Sequence, residues 1–130
     1  LDRNADYRSI VRPAILLVDD DPALGDVFKE HLTAEQFEVV YVHDSMMALA
    51  VLETGRKVDL LLVDMVMPEG KPNGVSLALM ARRQVQGIKI AFLTGHPQLL
   101  PEIGELPGKA FIQPVDLAEL KREIRALLGE

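Results

Sequence analysis

The sequence predicts an α/β domain built on a doubly wound parallel sheet, and three observations lead there. Short apolar runs alternate with segments of helical period: AILLV at 14–18, EVVYV at 38–42, DLLLVD at 59–64, IKIAFLTG at 88–95 and AFI at 110–112. Several of these runs are apolar at every position, the pattern of strands covered on both faces. The connections are short, so strand and helix follow one another as (βα) five times, with right-handed crossovers expected.

Each element has a local cause. Pro22 stands where the first helical residue belongs, with Asp21 before it as N-cap, and Leu24, Val27, Phe28 and Leu32 then form one helical face. Asp44 caps the next helix, SMMALAVLE (45–53), which stops at Gly55. A turn-rich loop, MPEGKPNG (67–74), precedes a helix from about Val75 to Gln84. The last helix lies within 116–128 and turns Leu117, Leu120, Ile124 and Leu127 inward. Between the fourth and fifth strands, GHPQLLPEIGELPGK carries Pro97, Pro101, Pro107 and three glycines. Interior proline costs a helix about 3 kcal/mol and glycine about 1 kcal/mol, so a short, broken or mobile helix is expected there. Met46, Met47 and Met80 read as core filler, and His31 as packing or surface beside the apolar face.

The 130 residues suit one domain, expected over 12–130, behind a polar tail or linker at 1–11. Leu1 stands where an initiator methionine would, which reads as a processed or excised piece. No apolar run reaches the roughly 18–20 residues that span a bilayer, no signal peptide is evident, and a cytoplasmic location is expected. The absence of cysteine excludes disulfides and thiolate metal sites. Net charge is −6, and Arg82, Arg83, Lys121, Arg122 and Arg125 read as solvated helix faces, which argues against direct nucleic-acid binding.

The chemistry is concentrated at strand ends. The first strand runs into Asp19 and Asp20, the third ends on Asp64 and the fourth on Thr94. Open α/β sheets place their sites beyond the carboxyl ends of the strands. A single Asp there is ordinarily a cap or turn former, as Asp21 is before Pro22. A doublet, a third Asp and a Thr at successive strand ends is a different pattern. If those strands are neighbours, three carboxylates converge, and their repulsion calls for a cation. Oxygen donors with few nitrogens favour Mg²⁺. His43 and His96 lie in separate loops, which argues against a histidine metal site.

At these residues the chain resembles the response-regulator receiver domain of two-component signalling, over about residues 13–129. The resemblance rests on ILLVDDDP, DLLLVDMVMP followed by a glycine, AFLTGH and FIQP. It implies a flavodoxin-like three-layer sandwich with strand order 2-1-3-4-5. It also implies that Asp64 accepts a phosphoryl group from a sensor histidine kinase or phosphotransfer protein. Mg²⁺ would be held directly by Asp20 and Asp64, mainly through water by Asp19, and by the backbone carbonyl of Val66. Thr94 would hydrogen-bond the phosphoryl group and report its arrival, with Gly95 leaving room beside it. Such a domain signals through protein contacts, homodimerisation among them, and is not a turnover enzyme.

Three departures from the family pattern stand out. Gln113 occupies the position of the usual lysine before Pro114, and Lys109, four residues earlier, is not expected to replace it. Ala110 stands where an aromatic often turns inward on activation. The loop between Pro68 and Gly74 holds five residues where three is common. Two other readings compete. A pseudo-receiver, acting only as a protein-interaction module, would account for the missing lysine. A haloacid-dehalogenase-like phosphatase would use Asp19 as nucleophile, Asp21 as the acid two residues on, and Thr94. That reading leaves Asp64 unused, and it predicts steady turnover of phosphate monoesters.

Overall fold

The computed structural model describes residues 12–67 and 73–130; the expected tail at 1–11, and loop residues 68–72 with Lys71 among them, lie outside the described residues. The elements follow in the expected order: β1 (Ala14–Val18), α1 (Pro22–Ala34), β2 (Glu38–Val42), α2 (Ser45–Glu53), β3 (Leu60–Asp64), α3 (Gly74–Gln84), β4 (Lys89–Thr94), a 3₁₀ helix (Pro97–Ile103), β5 (Lys109–Ile112) and α4 (Leu117–Leu127). The five strands form one parallel sheet in the order β2-β1-β3-β4-β5. The order reverses direction at β1, so the carboxyl ends of β1 and β3 lie side by side at the switch point.

Alternation along the strands builds two cores. Leu16 and Val18 of β1, Leu61 and Val63 of β3, and Ile90 and Phe92 of β4 pack with Ala48 and Leu52 of α2 and Leu77, Ala78 and Ala81 of α3. Ile15, Leu17, Leu60, Leu62, Ala91 and Leu93 face the other way, against Phe28 and Leu32 of α1 and Leu120 and Ile124 of α4. Every residue of β1 is buried, which explains its unbroken apolar run. Asp21 caps α1 through Ala23 N and Leu24 N, and Asp44 caps α2 through Met47 N at 2.8 Å.

Three expectations need correction. Leu24 and Val27 continue the α1 face in sequence but remain 38% and 42% exposed. The N-terminal half of α1 borders an open groove that it shares with Pro114, Val115 and Leu117, so no described element closes over them. Met46, Met47 and Met80 are exposed rather than core. The buried stripe of α2 is Ser45, Ala48 and Leu52, at i, i+3 and i+7, and the two methionines fall off that stripe. Met80 likewise lies beside, not on, the α3 stripe of Leu77, Ala78 and Ala81. On α4 the expected inward face holds: Leu120 and Ile124 are fully buried, and Leu117 and Leu127, partly buried, pack against the same core.

Lys121 and Arg125 are more than a solvated face. Both reach Glu35 at the end of α1, at 3.4 Å and 2.7 Å, and the Arg125 guanidinium also lies 5.6 Å from the Phe37 ring centroid. The hydrogen bond from Arg125 lowers the Glu35 pKa. The proline-rich segment forms a seven-residue 3₁₀ helix with no buried residue, matching the expectation of a short element.

Candidate functional site

The three aspartates meet. Asp19 and Asp20 leave the end of β1, Asp64 ends β3, and one carboxylate oxygen from each lies within 4.8 Å of the others. Asp19 is fully buried, Asp64 half-buried and Asp20 exposed, so the cluster opens to solvent on one side. Local hydrogen bonds orient two of the carboxylates. Asp19 Oδ1 accepts from Asp21 N at 2.9 Å, and Asp64 Oδ1 accepts from Val66 N at 3.0 Å. Among the described residues, Asp19 Oδ2 is buried and has no hydrogen-bond partner.

Burial pushes the Asp19 pKa up to about 6, opposed by the Asp21 N–H and reinforced by the charges of Asp64, Asp20 and Asp21. Burial also raises the Asp64 pKa, against the Val66 N–H, with the Asp20 charge adding to the rise. A buried carboxylate oxygen without a donor, inside a cluster of three acids, is costly unless a cation completes it. The donors are all hard oxygens at an open strand end, so the residues fit a small divalent cation such as Mg²⁺. No histidine joins the cluster among the described residues: His43 and His96 are exposed, and His31 is half-buried beside α4.

Thr94, at the end of β4, is fully buried. Its hydroxyl accepts from His96 N at 2.9 Å and donates to the His96 carbonyl at 3.2 Å. Beside it, a Cβ at Gly95 would have only Gln113 Oε1 within 4 Å, at 3.9 Å, among the described residues, so the space next to Thr94 is open. Gln113 donates its backbone N–H to the Thr94 carbonyl at 2.8 Å, and its Nε2 is buried without a partner among the described residues. Lys109 is drawn off to Glu123 at 3.7 Å, on α4, and takes no part. Ala110 is half-buried on β5, and Val66 is exposed at the mouth of the β3 loop. Asp21 is committed to capping α1, which leaves it unsuited to the acid role a dehalogenase-like phosphatase requires.

Two contributors were not apparent in the sequence. The Tyr41 hydroxyl donates to the Asp19 carbonyl at 2.9 Å, with the Asp21 carbonyl at 3.4 Å. Gly74 is pressed against the backbone that follows β3: a Cβ there would lie 2.3 Å from Asp64 O and 2.8 Å from Met65 Cα. A glycine closing the loop just before the predicted helix, ten residues after Asp64, was the available signal for the second.

A five-stranded parallel sheet of this order, with an acid cluster at the β1–β3 switch point, defines a receiver-type fold. The chain belongs to the response regulator receiver domain family, which matches residues 15–122. The transcriptional regulatory protein CpxR of Klebsiella pneumoniae is 39% identical over 117 residues, covering 88% of this chain and 48% of that protein. The chain thus spans about half the length of the curated relatives it matches. A response regulator receiver protein from Sinorhizobium medicae superposes with a TM-score of 0.83 at 27% identity, covering 91% of this chain and 95% of that one. The response regulator TrrA of Thermotoga maritima, solved with Mg²⁺ and BeF, gives 0.78 at 25% identity, covering 88% and 98%. The chain is therefore a receiver domain of two-component response regulators, a signalling module. No described helix is long and apolar enough to cross a membrane.

Proposed function

We propose that this domain, taken as residues 12–130, is a phosphoacceptor whose Asp64 receives a phosphoryl group in a Mg²⁺-dependent reaction. The donor is the phosphohistidine of a sensor histidine kinase or phosphotransfer protein, and the signal leaves through protein contact in the cytoplasm. One observation carries the reading: the buried, partnerless Asp19 Oδ2 inside a three-carboxylate cluster. Asp20, Asp64 and the Val66 carbonyl would hold the cation directly, with Asp19 acting mainly through water. When bound, the cation neutralises charge on the carboxylates and the incoming phosphoryl oxygens.

An Asp64 carboxylate oxygen attacks phosphorus, and a P–O bond forms as the P–N bond to the donor imidazole breaks. The electron pair returns to the ring nitrogen. The Val66 N–H fixes the plane of the attacking carboxylate. The space beside Gly95 admits the phosphoryl group, and the Thr94 hydroxyl exchanges its bond to the His96 carbonyl for one to a phosphoryl oxygen. Gln113 Nε2, buried without a partner, supplies a second donor there, neutral where the family's lysine is charged.

Intact mass after incubation with acetyl phosphate tests this. One phosphoryl group is expected on the native chain, and none after chelation of Mg²⁺ or with Asp64→Asn. Equal labelling of native and Asp64→Asn chains would overturn the assignment of Asp64. A native chain that takes up no label under any of these conditions would be a pseudo-receiver, and steady hydrolysis of a phosphate monoester would point to a phosphatase.

A further inference from the structure

We propose that Tyr41 and Gly25 form a lock that holds the Asp19–Asp20 peptide in its metal-binding position, making Tyr41 a positioning residue for the acid cluster. The inference rests on the Mg²⁺ site proposed above and adds residues to it that no carboxylate chemistry would single out. Tyr41 belongs to β2, an edge strand, and its side chain reaches over the loop that follows β1. Its hydroxyl donates to the Asp19 carbonyl, the oxygen of the peptide joining Asp19 to Asp20, at 2.9 Å. The bond therefore fixes the plane of the unit that carries both acids.

Restraint is needed there because the loop places consecutive like charges beside Asp64, and their repulsion favours spreading it. Among the described residues, few other bonds oppose that spreading. The Asp19 N–H reaches the Val42 carbonyl at a long 3.3 Å, and the Asp21 N–H folds back locally onto Asp19.

Gly25 makes the lock possible. It lies inside α1, where glycine is destabilising relative to alanine by roughly 1 kcal/mol, and its φ is not in the left-handed region. No backbone conformation requires it. Space does: a Cβ at Gly25 would lie 2.1 Å from Tyr41 Cζ, 2.3 Å from Oη and 2.5 Å from Cε1. The tyrosine ring occupies the volume that any other residue at 25 would fill.

Mg²⁺ titration of the folded chain, by calorimetry or NMR, tests the lock. Tyr41→Phe keeps the ring in its notch and deletes only the hydroxyl; it should weaken Mg²⁺ affinity by about 3- to 10-fold, the range of one net hydrogen bond. Gly25→Ala displaces the ring and should weaken Mg²⁺ binding at least as much. A purely structural tyrosine would lower the melting temperature and leave the affinity unchanged; unchanged affinity in Tyr41→Phe overturns the inference. A native chain that binds no Mg²⁺ instead overturns the metal site itself, and the positioning role with it. Melting temperatures supply an independent check. Gly25→Ala should lower the melting temperature when Tyr41 is present and raise it in a Tyr41→Ala background, where only the gain in helix propensity remains. The same sign in both backgrounds refutes the steric lock.

Discussion

Replacing Asp19 by Asn should stabilise the metal-free domain near neutral pH while weakening its hold on Mg²⁺. The reasoning starts from burial. Asp19 is fully enclosed, one oxygen lacks a donor, and its pKa rises from 3.8 to about 6. A carboxyl whose pKa is raised by folding binds more protons in the native than in the unfolded state. Its contribution to stability is therefore largest at low pH and is lost as pH rises through the folded pKa. A shift of this size corresponds to at most about 3 kcal/mol, of which roughly 1 kcal/mol falls between about pH 5 and about pH 7.5. Asp64 shifts in the same direction, so some loss across this window should survive the substitution. Glu35 shifts the opposite way, and its effect is confined to more acidic solution, below its ordinary value of 4.5. Urea unfolding of native and Asp19→Asn chains, in chelator at both pH values, measures the difference. The native chain should lose about 1 kcal/mol more than the variant on going to the higher pH, and added Mg²⁺ should restore stability to the native chain more than to the variant. Identical pH dependence in the two chains would show that Asp19 is not strained by burial, and the argument that Oδ2 awaits a cation and its water would fall with it.

Gln113→Lys should raise affinity for beryllofluoride and enlarge spectral changes at 110–114. With Mg²⁺ and a phosphoryl group the site totals about −2 with glutamine and about −1 with lysine, and a charge-assisted hydrogen bond is roughly twice as strong as a neutral one. Unchanged or reduced affinity would mean that another cation already serves. Gly74→Ala should destabilise the domain by about 1–3 kcal/mol, because the added carbon would strike the Asp64 carbonyl at 2.3 Å, and it should reduce labelling by acetyl phosphate; wild-type stability by urea unfolding would refute the close approach. Amides of the 3₁₀ helix should exchange faster than those of α4, since none of its residues is buried. Equal protection would show that its surroundings outweigh its propensity.

The order of strands and helices was legible because its causes are local. A strand covered on both faces must be apolar at every position, as β1 is, and a capping Asp must stand just before its helix, as Asp21 and Asp44 do. The site acids could be named for a related reason: strand ends are readable, and α/β sheets place their chemistry there. The neighbour relation that brings Asp64 to Asp19 was implied by family resemblance, not by periodicity, because no local pattern states which strands pair.

What only the tertiary structure decided depends on contacts between residues distant in sequence. Periodicity placed Leu24 and Val27 on the inner face of α1, but inwardness is set by what stands opposite, and there the groove beside Pro114 is open. It did not separate Met46 and Met47 from the Ser45, Ala48 and Leu52 stripe, since a short, largely apolar helix leaves its buried side to be chosen by its neighbours. Tyr41 and Gly25, and likewise Gly74 and Asp64, are pairs whose meaning lies in a shared volume, and volume is shared only once the chain has folded. The raised Asp19 pKa has the same origin: three aspartates in a row are visible in the sequence, but which of them loses its water is a property of the packed loop.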